Sequence, residues 1–201
     1  MPLSPADARR PATYWPLLPA GELERARSGD PEALGAFFDH YFPRIHATVQ
    51  RLVRDHATAQ DVTQDVLLKV QNGLPRLDTT RDPAPWLFTI AVNACRDLWR
   101  TSAWRASAQA RSLEDPAIAM QLQAAERPDD AFERSEIARI LNEAIGRLPE
   151  ALRVTVVLHD CEGLGHQEIA ELTGIAYAAS RKRHSRALKL LGDMLREAYP
   201  R

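Results

Sequence analysis

Arg181, Lys182, Arg183, Arg186 and Lys189 place five cations within about three turns of a helix. That density suits contact with phosphates. Between Gly174 and Leu195 only Asp193 opposes them. Ahead of them, Ile169, Ala170 and Leu172 fall on one side of a short helix and Gln167, Glu168 and Glu171 on the other. Gly174 then supplies the turn, where a residue without Cβ costs least. A helix, a glycine turn and a basic second helix make a helix-turn-helix, which lays its second helix in the major groove of DNA. Ala179, Ala187, Leu188, Leu190 and Leu191 are the residues available to pack the second helix on the first. A solvated basic face on a core helix would have the same composition.

Other chemistries find less support. Cys95 and Cys161 stand far apart without a CxxC partner, which fits neither a disulfide framework nor a zinc site. His159, Asp160 and Cys161 form a triplet without further ligands at metal spacing, so the expectation is no metal and no cofactor. No glycine-rich phosphate loop or nucleophile-base pair is visible, and no enzyme is expected. The chain shows no apolar run that would span a bilayer and no signal-peptide core, so a reduced, cytoplasmic protein without membrane insertion is expected. The net charge of the 201 residues is −1. DNA binding must therefore come from local charge asymmetry.

The elements that would position these residues read as helices throughout. Ala, Leu, Arg and Glu dominate and β-branched runs are short, which favours an all-α fold. Prolines at 2, 5, 11, 16 and 19 make residues 1–22 a loose extension. Asp30 and Pro31 start a helix bearing Leu34, Phe37, Phe38, Tyr41 and Phe42. A second carries Ile45, Val49, Leu52 and Val53, and a third spans Ala57 to Asn72 with Val62, Val66, Leu67 and Val70 at helical spacing. After a loop with two prolines, another runs from Pro85 to about Trp104 and buries Leu87, Ile90, Ala91, Ala94 and Leu98. These make a first domain over 23–105. Residues 106–131 read as a flexible linker. A second small helical domain over 132–201 follows, bearing Ile137, Ile140, Leu141, Ile145 and Leu148. Pro149 starts its next helix despite the β-branched run at 154–157.

With these motifs in place the chain resembles an extracytoplasmic-function sigma factor, the compact sigma-70 type of bacterial RNA polymerase subunit. The first domain carries GDPEAL at 29–34, AQDVTQDVLLKV at 59–70, similar to the family's AEDLVQEVFL, and PWLFTIAVNACRDLWR at 85–100, similar to its WLxxIAxNxxxDxxR. The second carries LPEALRVTVVLHDCEGLGHQEIAELTGI at 148–175, similar to LPxxxRxVxxLxxxEGLSYEEIAELLGV. The resemblance implies sigma region 2 at 23–105, which binds core polymerase and recognises and melts the minus-ten element. It implies sigma region 4 at 132–201, which recognises the minus-thirty-five element. It also implies promoter-specific initiation, with a stress-, envelope- or signal-responsive regulon.

The resemblance assigns residues as well. Asp61, Gln64 and Asp65 share one face of the third helix, where the family grips the clamp helices of the β′ subunit; the β flap is a further implied partner. Asn93, with the loop residues Leu77, Asp78 and Thr79, corresponds to the minus-ten reader, since an amide pairs with a base edge and a loop can hold an unstacked base. Arg96, Arg100 and Arg105 are available to phosphates, and Trp86 is expected in the core. In the recognition helix Ser180, Arg181, Lys182, Arg183, His184 and Arg186 are the DNA-facing candidates. Here YAASRKRHSRAL at 177–188 departs from the family's VGTVKSRLHRAR, with Ser180 and His184 in place of apolar residues and Ala179 in place of a Thr. Gly165 replaces the usual Ser cap, at a cost of about a few tenths of a kcal/mol. An anti-sigma protein closing both domains around itself is the remaining implied partner. A helix-turn-helix regulator with a ligand-sensing first domain would share the second motif set, but such a domain has no reason to carry AQDVTQDV.

Overall fold

A computed structural model describes residues 17–101, 104 and 130–198. Helix α1 (Ala20–Arg27) follows Pro19, and a turn through Gly29, at φ +87°, leads into α2 (Pro31–Val53). Asp30 caps α2 by accepting from the Ala33 amide at 2.9 Å, with Pro31 in the first turn where its missing N–H is harmless. The two helices expected here are one of 23 residues, with Pro43 inside. Pro43 is exposed, and its lost hydrogen bond is outweighed by a single apolar face: Phe37, Tyr41, Ile45, Val49 and Leu52 all point inward.

Asp55 caps α3 (His56–Gly73) by accepting from Thr58 N at 2.8 Å. A 3₁₀ turn (Leu74–Arg76) and a loop lead to α4 (Ala84–Arg100). Gly73 lies under the ring of Trp86, where a Cβ would come within 2.8 Å of Cζ2. Trp86 therefore packs, as expected. Helix α4 stops at Thr101 instead of near Trp104, while Leu87, Ala91 and Ala94 are buried and Ile90 and Leu98 half-buried. Arg105 and most of the linker at 106–131 lie outside the described residues, as do residues 1–16.

Among the described side chains of helix α5 (Asp130–Arg147), Ala144 and Ile145 are buried, as is Leu148 just beyond, whereas Ile137 and Leu141, expected inside, are exposed. Helix α6 (Glu150–Val156) winds into a π turn (Val157–Cys161) that the sequence pattern gave no sign of. The β-branched run is helical, because Val154, Thr155, Val156 and Val157 are buried on all sides and tertiary packing overrides their weak helix preference. Helices α7 (His166–Thr173) and α8 (Tyr177–Ala198) follow. Among the described residues no strand occurs.

The helices form two groups, α1–α4 and α5–α8, that share one apolar core. Polar groups fix the junction. Glu162, just after the π turn, is 2% exposed at its side chain; Arg44 Nε donates to its Oε2 at 2.6 Å and Arg44 Nη2 to its carbonyl at 2.8 Å. The Thr48 hydroxyl donates to Oε1 at 2.6 Å, and Arg51 stands 3.5 Å from the same oxygen. Arg153 of α6 donates to the Leu52 and Leu148 carbonyls, filling an acceptor that the end of α2 leaves open. Burial first, and then Arg54, bring the Arg153 pKa down to about 10, so it stays charged near neutrality.

Removing one partner of a buried ion pair strands the other. Glu162→Ala should lower the free energy of urea unfolding by about 3–5 kcal/mol. A loss below about 1 kcal/mol, the level of an exposed pair, would contradict this account of the junction.

Candidate functional site

The turn between α7 and α8 is built as the sequence requires. Gly174 sits at φ +68°, a left-handed conformation open to glycine at little cost. At the start of α7 the Gly165 amide donates to Glu168 Oε2 at 2.7 Å, so a glutamate reaching back supplies the half of the capping box that needs no Ser. Ile169 and Ala170 are buried, Leu172 is half-buried, and Gln167, Glu168 and Glu171 face out. On α8 the buried residues are Ser180, Ala187 and Leu191. Leu188 and Leu190, expected to pack inward, are 48% and 37% exposed, because the inward ridge runs through 180, 187 and 191 and leaves its flanks outside.

Arg181, Lys182, Arg186 and Lys189 are exposed on α8, and Arg183 is half-buried. The two residues that replace apolar ones of the family pattern turn inward. Ser180 is fully buried, with its hydroxyl 3.3 Å from His166 Nδ1, and His184, its side chain 14% exposed, has Nε2 2.8 Å from Asp160 Oδ2.

On α4, Asn93 is exposed and Arg96 Nη1 lies 3.5 Å from its Oδ1. Arg96 Nη2 donates to the Thr173 carbonyl of α7 at 3.2 Å, bridging the two helix groups. Burial, then the Arg183 and Arg100 guanidiniums, hold Arg96 below the ordinary arginine range. Cations of the two groups thus adjoin. Arg100 is exposed beside Asp97 at 3.6 Å.

The loop before α4 is pinned by its own polar groups. Leu77 is buried; Asp78 accepts from the Thr80 hydroxyl at 2.6 Å and the Thr80 amide at 3.1 Å, bonds that keep its carboxyl below the usual range. The Thr79 hydroxyl donates to Glu24 Oε2 at 3.0 Å. A cleft of about 690 Å³ separates this loop and Trp86 from Glu168, Glu171 and Leu172 of α7. Leu77 and Asp78 of one group therefore face α7 of the other across this cleft.

Asp61, Gln64 and Asp65 are exposed together on α3. Beside them lies a groove of about 620 Å³ between α2 and α3, lined by Phe38, Phe42, Gln64, Leu67 and Leu68 with Asp39 at its edge. Leu68 is 59% exposed. Sequence reasoning missed the apolar half of this face. The available signal was Leu68 beside Leu67, one leucine more than a single helical stripe buries.

Comparison with known proteins follows this division. The sigma-70 region 2 model matches residues 37–105 and the sigma-70 region 4 model residues 138–191. The RNA polymerase sigma factor CarQ of Myxococcus xanthus is 35% identical over 87% of this chain and 96% of its own length. The RNA polymerase sigma-H factor of Pseudomonas aeruginosa is 30% identical over 88% of this chain and 95% of its own. In fold, the chain is similar to the sigma factor RpoE of Bartonella quintana, solved with the anti-sigma factor NepR, at a TM-score of 0.64 and 20% identity over 85% of this chain and 99% of that one. It is likewise similar to CnrH, solved with the cytosolic domain of CnrY, at a TM-score of 0.61 and 23% identity over 88% and 96% of the two chains.

Proposed function

The chain belongs to the sigma-70 family, in its extracytoplasmic-function group, and from that membership we infer that it binds core RNA polymerase and directs promoter-specific initiation. The observation that carries this is the presence of both matched regions, in order, on one chain. Sigma factors contribute no catalysis of their own, so this one acts by binding and leaves nucleotide chemistry to the polymerase. Among the described residues no helix is long and apolar enough to cross a membrane. The polymerase sets the place of action as the cytoplasm. The regulon is one that responds to stress, the envelope or another signal.

The core-binding face is α3: Asp61, Gln64 and Asp65 offer carboxylates and an amide to the β′ clamp helices, and the groove at Leu68 offers the apolar patch an interface centre needs. Region 4 is the part that meets the β flap. Asn93 and the loop at Leu77, Asp78 and Thr79 read and open the minus-ten element, with Asp78 at the surface, Thr79 half-buried against Glu24 and Leu77 bracing them from inside. Arg96 and Arg100 hold phosphates. Arg181, Lys182, Arg183 and Arg186 dock the minus-thirty-five duplex, while Ser180 and His184 shape the helix from within.

Both promoter surfaces cannot be used in the arrangement described. Elements some 25 base pairs apart lie about 85 Å apart along B-DNA at roughly 3.4 Å per base pair. Here Arg96 and Thr173, one from each group, are in hydrogen-bond contact. Promoter binding therefore requires the two regions to separate. The chain between Thr101 and Asp130 reaches at most roughly 100 Å when extended, enough for that separation. The closed form is the one an anti-sigma protein would hold, and such a protein is the regulator we propose.

Replacing Asp61, Gln64 and Asp65 together with Ala should weaken capture by core polymerase at least about tenfold while leaving thermal unfolding nearly unchanged, since surface changes rarely exceed about 0.5 kcal/mol. Undiminished capture would remove the assignment of that face. Arg183→Ala should reduce promoter affinity and its salt dependence, or relax base preference if the contact is to a guanine. Asn93→Ala should spare initial binding and impair melting. Run-off transcription on duplex and pre-melted templates checks this division: pre-melting should rescue the Asn93 variant and not the Arg183 variant, and equal rescue would contradict it.

A further inference from the structure

Three histidines that are distant in sequence meet at the base of the helix-turn-helix. His159 comes from the π turn, His166 opens α7, and His184 lies on α8. The His159 and His166 rings stack with centroids 4.2 Å apart, and the His184 ring lies 4.4 Å from the first and 5.2 Å from the second. One ligating atom of each falls within 4.8 Å of the other two. Nothing in the promoter chemistry described above uses them.

The surroundings prepare these rings as ligands. His159 Nδ1 lies 2.8 Å from the Leu164 carbonyl, which can only accept, so Nδ1 carries the proton and Nε2 keeps its lone pair. His166 Nδ1 lies 3.3 Å from the buried Ser180 hydroxyl, which can accept its proton and so permits the tautomer whose Nε2 lone pair is free. Asp160 sits against His184 Nε2, placed as an orienting carboxylate or a fourth ligand. Each ring thus has an outer partner of the kind that fixes metal-bound imidazoles.

We propose that His159, His166 and His184 form a site for a divalent transition-metal ion of the zinc class. Three imidazoles select Zn(II), Co(II), Ni(II) or Cu(II) over Mg(II) and Ca(II), which prefer oxygen. With metal–nitrogen bonds of about 2.0–2.1 Å in a tetrahedral site, the nitrogens stand about 3.4 Å apart. Ring rotation of about 1 Å at each nitrogen closes the present triangle to that size. The fourth position falls to Asp160 or water. Since the ligands come from three consecutive elements, the ion ties the recognition helix to the segments before it; resting on the function proposed above, it thereby sets how α8 presents Arg181 to Arg186 to DNA.

The site is tested on the full chain by titration with Co(II), followed by the visible ligand-field absorption of tetrahedral cobalt, and by Zn(II) displacement and calorimetry. Wild type should take up one ion per chain, and Zn(II) should raise the melting temperature. His184→Leu, which restores the apolar residue of the family pattern, and His159→Gln should each weaken binding at least about a hundredfold while staying folded. Ser180→Val, which touches no metal, should weaken it about tenfold, as outer partners do. Cys161→Ser should leave the cobalt spectrum unchanged. Binding in wild type no stronger than in the histidine variants, or lost with Cys161→Ser, would overturn the proposal. These readouts use neither polymerase nor promoter, so failure here leaves the run-off assay, and the function it tests, standing.

Discussion

One buried carboxylate sets the form of this molecule. Glu162 lies at the seam between the two helix groups, with Arg44, Thr48 and Arg51 of α2 directed at it. An ionised group at such depth is tolerated only when paired and hydrogen-bonded. Its position fixes α2 against the π turn, and the remaining contacts follow: Arg153 over the end of α2, and α4 against α7. Arg44 also lies 5.3 Å over the Phe88 ring, carrying the same constraint into α4.

The seam holds the protein in a form suited to storage more than to promoter contact. Closing it brings Arg96 beside Arg183, a like-charge approach that costs energy and that duplex phosphates would relieve. The polar pairing at Glu162 and the shared apolar core offset that repulsion in the free chain. On the function proposed above, core polymerase and DNA would engage α3 and α8 at separate places and so supply the energy to part them. A ligand shifts such an equilibrium only through its differential affinity for the two states.

Much of this was legible in the sequence because it is local. Asp30 before Pro31, Gly174 between two amphipathic helices, and the basic run at 181–189 each announce themselves within a few residues. What was illegible is long-range. The continuous α2 through Pro43 depends on the core its face packs into, and the exposure of Leu188 and Leu190 depends on which ridge of α8 the neighbours occupy. Glu162 meets residues of α2 that are more than a hundred positions away. The same holds for the histidine triangle: spacing along the chain gave no metal pattern, and folding brings the three rings together. Ser180 and His184, which departed from the family's apolar pattern, signalled something unusual without saying that it faced inward.

The central claim is that the seam at Glu162 is closed in the free protein and open on the promoter. Pulsed electron resonance between probes at Gln60 on α3 and Ser185 on α8, both exposed, measures this directly. The account predicts one short distance for the free protein, replaced by one longer by tens of ångströms in the complex with core polymerase and promoter. The same short distance in both states, or a broad long one in the free protein, would contradict it.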